Sequence, residues 1–403
     1  MKIKTHTILL LNLIIALMVS HLGAGSLTPP GAPASTMKTL QQVEPRTPIS
    51  TVPFTITQSG SYYLTGNLQA TGSGITITAS DVTLELEGFT LTGALDEASS
   101  GIFLVGNDSV PIRNVVVRNG TIREFHLGVR VNYGQNCRIE DLNITGNGDR
   151  GIYFWSFSGL STGNVVSRCM VSRNEGAGIG TFVGSATGDW SRNTIEDCII
   201  EDNASTGINL SIGSGTASGN TIADSVIGRN GSNGVFVSVS GGARVSGTAI
   251  IRSQIAYTAG TGTGITMQAT GAGSICDDSA ITDCRVTGNN GNGIVIQASG
   301  GGTSTANSIM NCFVSGNATY GINIANVGRT RVEGNHVAGQ VGASTQGIRS
   351  NGALGNFILR NIVTGHTQNY FVNGADTYGP IVSSSGELAT TGAAAHPWAN
   401  FSR

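Results

Sequence analysis

Asn193–Ser211 reads NTIEDCIIEDNASTGINLS, and three further stretches repeat it: NVVSRCMVSRNEGAGIGTF (Asn164–Phe182), NTIADSVIGRNGSNGVFVS (Asn220–Ser238) and NSIMNCFVSGNATYGINIA (Asn307–Ala325). The shared template is Asn-x-Ile-x-Asp-Cys-x-Ile-x-x-Asn, a glycine-rich turn, then Gly-Ile-x-Ile. Its Gly-[Ile/Val] marker recurs at Gly74, Gly101, Gly128, Gly151, Gly178, Gly207, Gly234, Gly264, Gly293, Gly321 and Gly347. The intervals run from 23 residues (Gly128 to Gly151) to 30 (Gly234 to Gly264). A period in the twenties with alternating apolar residues signals a solenoid. Ile195, Cys198 and Ile200 face inward, then Ile208 and Leu210, and segments this short, divided by Asn and Gly, are strands rather than helices. Each strand then lies parallel to its counterpart one coil on, ~4.8 Å away. A left-handed β-helix would show a clean hexapeptide period, which is absent. The pattern predicts an all-β chain: a single-stranded right-handed parallel β-helix of about 11–12 coils, ~50–60 Å long, with N- and C-terminal caps.

Composition narrows the function classes. Among 403 residues only 11% are charged, the formal net charge is -2, and 59 are glycine. A 39% hydrophobic share is enough for a core. Near-neutral charge argues against nucleic acid, whose phosphates require a basic stripe. No lysine follows Lys38, which excludes a lysine base or Schiff base from the repeats.

Residues 1–24 read as a signal peptide: Lys2 and Lys4 precede the apolar run Ile8–Val19, and small residues follow. Residues 25–53 hold six of the nine prolines and read as a linker. The β-helix is assigned to 54–392. It opens with a strand–turn–strand hairpin at Phe54–Leu68 that covers the first coil, because a bare solenoid end exposes unpaired backbone. Residues 393–403 form a tail whose Pro397, Trp398 and Phe401 cover the other end. The expected product is a secreted or envelope-associated monomer with no membrane span once the signal is removed.

Two asparagine ladders account for much of the polar content. Asn164, Asn193, Asn220 and Asn307 share one repeat position, and Asn147, Asn174, Asn203, Asn230, Asn289 and Asn317 another. Asparagine tolerates left-handed geometry at bends, and stacked amides bond along the axis. Cys169, Cys198, Cys284 and Cys312 fall on one inward position; they read mostly as free thiols, since a parallel stack points their Cβ atoms the same way, with oxidation of Cys169–Cys198 and Cys284–Cys312 across adjacent coils as the alternative in an exported protein.

GSYYLTGNL (Gly60–Leu68), VTLELEGFTLTG (Val82–Gly93) and HPWANF (His396–Phe401) carry a resemblance to the secreted bacterial right-handed β-helix repeat proteins of the pectate lyase-like superfamily. It extends over about Phe54–Phe401. The resemblance implies the β-helix and contact with acidic or neutral polysaccharides, and it equally admits adhesins and surface proteins without catalysis. Superfamily polygalacturonases carry Asn-x-Asp, Gly-His-Gly and Arg-x-Lys motifs, and pectate lyases Arg-x-Pro-x-x-Arg with calcium aspartates. None of these is present, so no cofactor is assigned and calcium has no motif behind it.

One region is richer than the rest. His126 and Asp149 share a position two residues before successive markers, Arg130 and Tyr153 stack beyond them, and Asn132 and Trp155 beyond those. With Phe182 and Trp190 they form a candidate carbohydrate groove. Tyr153, Trp155, Phe182 and Trp190 supply flat platforms and Asn132 a polar contact, while His126, Asp149 and Arg130 supply polar contacts or proton transfer. No cysteine or histidine pair has zinc spacing, so no metal is assigned. Three functions remain open: polysaccharide contact along the outward face with catalysis unproven; a lyase, glycoside hydrolase or epimerase using His126, Asp149 and Arg130; or a purely structural or adhesive surface protein.

Overall fold

A computed structural model describes residues 45–339, 345–352, 355–383 and 391–403. The signal reading and most of the linker lie outside the described residues. The chain from Arg46 onward is one right-handed parallel β-helix of about eleven turns, and among the described residues its one helical element is a short 3-10 turn at Gly392–Ala395.

The coils between Gly159 and Thr305 repeat one circuit. Ile208–Ile212 lies on what we call the marker face, a 13-stranded parallel sheet. Thr216–Ser218 belongs to a six-stranded return ribbon, Thr221–Ala223 to a first flank and Val226–Gly228 to a second flank, after which Val235–Val239 resumes the marker face one coil on. Ile208 pairs with Val235, Thr221 with Ala249 and Val226 with Gln254, all in parallel. Alternation places Ile208, Leu210, Ile222 and Ile227 in one axial core at 2% exposure or less.

Bends and ladders are separate devices. Sequence reasoning gives the ladder asparagines left-handed backbone, but that geometry belongs to the residue before each. Arg173, Asp202 and Arg229 have φ of 53°, 56° and 52°, and each directs the following Asn174, Asn203 or Asn230 inward. Arg192 does the same for Asn193, and Asp197 for Cys198. Turned inward, the amides stack as expected. Asn147 Nδ2 donates to Asn174 Oδ1 at 2.8 Å, Asn174 to Asn203 at 2.8 Å, and Asn203 to Asn230 at 3.0 Å. Asn203 Nδ2 also reaches the Val171 carbonyl, and its Oδ1 accepts from the Asn174 amide N–H. An inward polar group is thereby satisfied without water.

The marker glycines have a different cause. A Cβ on any of the eleven would sit 2.5–2.8 Å from a carbonyl oxygen of the next coil. Real Cβ atoms do not approach that closely, so glycine is required for coil spacing.

All six cysteines are unpaired thiols. Burial pushes Cys137 up to about 11 and Cys276 up to about 12. A hydrogen bond with Cys198, then burial, holds Cys169 well above its ordinary value.

Both ends differ from expectation. Phe54–Leu68 is not a hairpin: Phe54–Ile56 pairs in parallel with Ile75–Ile77, and Gly60–Leu64 with Val82–Glu85. Gly60, at φ 142°, turns a corner instead of reversing the chain, so the segment is an ordinary coil. Thr47–Ile49 pairs with Tyr62–Leu64, which places the first rung inside the stretch read as linker. In the tail, Asn400–Ser402 forms a strand beside Ile362–Thr364 and Ile381–Val382, while Trp398 is 40% exposed with the Arg360 guanidinium 4.3 Å from its ring. Its backbone, more than its aromatics, closes that side.

Candidate functional site

Residues that alternate with the core line the outside of the marker face. Phe103, Arg130, Tyr153 and Gly180 form one in-register column, and Val105, Asn132, Trp155 and Phe182 a second. The first alternates ring and cation. The Arg130 guanidinium lies 4.7 Å from the centre of the Phe103 ring and donates through Nε to Asn132 Oδ1 at 3.0 Å. The Arg150 guanidinium lies 4.5 Å from the Tyr153 ring, and its stem fills the space over Gly180. Burial lowers the Arg130 pKa, opposed by Tyr153, and burial raises the Tyr153 hydroxyl, opposed by Arg150 and Arg130. Arg130 has no carboxylate partner among the described residues.

The second column runs into a wall. Trp155 meets Tyr133 edge-on at 5.4 Å and lies nearly parallel to Phe157, 21° between planes and 6.4 Å between centres. Phe157 is 49% exposed, and Leu160 and Val110 also stand out in solvent. The loop after Ile152–Ser156 leans on the loop after Ser100–Val105, where Ser158 Oγ donates to Asp108 Oδ2 at 3.2 Å. These loops thus carry exposed apolar side chains next to the strands that bear Val105 and Trp155.

The structure brings Arg130, Tyr153, Trp155 and Phe182 together on that surface, with Asn132 buried among them at 9% exposure and held by Arg130. It does not assemble the acid–base group. His126 and Asp149 are neighbours through backbone, the Asp149 N–H donating to the His126 carbonyl at 2.7 Å, at the start of their strands. His126 stands four residues before Arg130 along the chain, while Asp149 connects to Tyr153 through Arg150, whose guanidinium lies 4.5 Å from the Tyr153 ring centre. The Asp149 carboxylate is taken by Arg150 at 2.6 Å. Trp190 is corrected outright: at 2% exposure it packs edge-on against Phe154 in the core, so no sugar ring can reach it. The Gly188–Asp189 strand sets its direction, since the residue after it falls on the inward side of the return ribbon.

A charged column on the flank faces escapes sequence reasoning. Glu85, Arg118 and Glu140 stack in register. Arg118 Nε meets Glu85 Oε2 at 2.6 Å, and Arg138 and Arg168 reach Glu140 at 3.1 and 3.4 Å. With Glu87, Asn119 and Asp141, Glu85 and Arg118 line an open cavity of about 550 Å³. The distance from the marker drifts from 11 residues (Gly74 to Glu85) to 17 (Gly101 to Arg118), because the loop Gly106–Pro111 intervenes; spacing alone hides the column. Its charges compensate one another, the pattern of a structural network. Among the described residues no group of three His, Cys, Asp or Glu side chains gathers as a metal would need.

Fold and face together define a solenoid that presents one long, nearly uncharged strand surface with an aromatic–cationic patch toward its N-terminal end. The chain belongs to the family described as right handed beta helix region, whose model matches residues 73–250 and 188–337. No curated protein matches it. Among solved structures, PfbA, a surface adhesin of Streptococcus pneumoniae, is 12% identical with a TM-score of 0.52, covering 80% of this chain and 86% of that one. The A-module of the Azotobacter vinelandii mannuronan C-5 epimerase AlgE4 is 13% identical with a TM-score of 0.40, covering 79% and 91%. The catalytic domain of a GH87 alpha-1,3-glucanase is 13% identical with a TM-score of 0.48, covering 76% and 59%. Likeness at these identities shows the fold alone. Among the described residues no helix is long and apolar enough to cross a membrane.

Proposed function

We propose that this chain is a secreted polysaccharide-binding β-helix whose marker face, over the coils of Phe103 to Phe182, is the contact surface. The observation that carries this is the near-parallel Trp155–Phe157 pair beside the Tyr153 and Arg130 column. Flat rings offer apolar area to the faces of sugar rings at little entropic cost, and the flanking guanidinium and amide answer hydroxyl or anionic substituents. Binding without turnover is the preferred form, because Asp149 is held by Arg150 and no hydrogen bond joins the His126 ring to it. Tyr153→Ala combined with Trp155→Ala should weaken retention on a glycan array at least ~tenfold, the loss of about one aromatic anchor. Unchanged binding would overturn the proposal. A panel of uronate and neutral polysaccharides, with and without calcium, should yield no product. Unsaturated ends absorbing in the ultraviolet would point instead to a lyase, and new reducing ends alone to a hydrolase.

A further inference from the structure

The marker face carries a second cluster built like the first. Asn323, Arg349 and Phe371 lie in register on consecutive coils near its C-terminal end. The Arg349 guanidinium is 5.0 Å from the Tyr320 ring centre and 5.8 Å from that of Phe371, and it donates to Asn323 Oδ1 at 3.2 Å. No carboxylate pairs with it among the described residues. Arg130 repeats the arrangement, with a ring on the adjacent coil and an amide oxygen as its hydrogen-bond acceptor. Both cations occupy the same outward column, eight coil steps apart, or ~38 Å. Between them that column holds Tyr153, Gly180, Asn209, Phe236, Thr266 and Val295 before Asn323, and no acid, with Thr266, Val295 and Asn323 themselves buried, so that the neighbouring side chains form the surface there. The parallel column Ser238–Gln268–Gln297 adds a line of polar side chains, Gln297 Nε2 donating to Gln268 Oε1 at 2.9 Å and Gln268 Nε2 to Ser238 Oγ at 3.2 Å.

We infer that Arg349, with Tyr320, Asn323 and Phe371, is a second anchor for the same polymer, so that one acidic polysaccharide chain is held at two points along the marker face. This rests on the polysaccharide reading above. An arginine without a carboxylate partner, held against a ring, favours an anionic substituent over a neutral hydroxyl, and carboxylate and sulfate groups share that chemistry. Two anchors on a rigid body make the second contact intramolecular, so affinity rises steeply once a fragment spans both.

The test measures binding of polygalacturonate, dextran sulfate and neutral dextran fragments, each in a short class that cannot span ~38 Å and a long class that exceeds it. Wild type should bind long acidic fragments at least ~tenfold more tightly than short ones. Arg349→Gln should abolish that advantage and remove one of two short-fragment sites, read as a lower stoichiometry, whereas Arg130→Gln should weaken the binding of both classes. Phe371→Ala, melting as wild type does, should reproduce Arg349→Gln in part. Preference for the carboxylated or the sulfated series identifies the anionic group. Equal binding of dextran, or equal long-fragment binding by Arg349→Gln and wild type, overturns the second anchor. If Tyr153→Ala with Trp155→Ala still abolishes binding, the polysaccharide reading survives that failure. No binding of any fragment by wild type overturns both, and tighter binding of single-stranded DNA than of the acidic glycans replaces the partner class.

Discussion

Ala306 holds φ at 57° with an exposed side chain, doing at one bend what Gly219 and Gly247 do at the same bend of other coils. An L-residue there costs about 1–2 kcal/mol, so Ala306→Gly should stabilise the fold by roughly 1 kcal/mol, read as a rise in unfolding midpoint. The inward neighbour of such a bend behaves oppositely. Asn203→Ala removes an acceptor from the Asn174 backbone and a donor from the Val171 carbonyl, and should destabilise by about 2–4 kcal/mol. His366 adds a pH term. Its Nδ1 lies 3.1 Å from Thr345 Oγ1, its Nε2 is buried without a partner, and burial holds its pKa below the ordinary 6.5. The unfolded chain therefore takes up a proton that the fold resists. The associated stability is present above about pH 6.5 and is lost as pH falls from there toward the depressed folded pKa. The fall in melting temperature between pH 7.5 and pH 5 should be smaller in His366→Gln than in wild type.

At the level of elements, the two tryptophans near the site separate by the strands that carry them. Trp155 extends from a marker-face strand into solvent, whereas Trp190 follows a return-ribbon strand into the core. Trp190→Ala should cost about 3–5 kcal/mol in denaturant unfolding without changing glycan specificity, while Trp155→Ala should do the reverse. The closing strand Asn400–Ser402 is equally specific. Asn400 Nδ2 donates to the carbonyls of Ile358 and Gly379 at 2.9 and 3.0 Å, and its Oδ1 accepts from Asn361. Deleting residues 393–403 frees the edge of Ile362–Thr364 and leaves the Ile358 and Gly379 carbonyls and the Asn361 amide without their partner. Size-exclusion chromatography should then show aggregates, and a monodisperse truncated protein would remove the capping role.

For the whole molecule, sequence periodicity was sufficient for the coil, the ladders and the inward positions, because a fixed interval projects directly onto a stack. It was insufficient wherever a loop changed the interval, which is why the Glu85–Arg118–Glu140 column stayed hidden and Trp190 was placed outside. The outward columns were legible on the strands, where period two fixes direction. It was not legible for His126 and Asp149, since a shared repeat position does not tell which cation captures a carboxylate. The first coil was misjudged for a related reason: Ser59-Gly60 turns a corner here with the same residues that would close a hairpin. The glycine column carries a consequence for ancestry. Sliding one turn against the next by a single residue would thrust a methyl-sized group into an oxygen, so the stack cannot be lengthened by fractions. Such a chain evolves in integers, gaining or losing complete windings by duplication or excision, while smaller insertions are diverted to the loops, where they can remodel the walls of a binding surface without disturbing its floor.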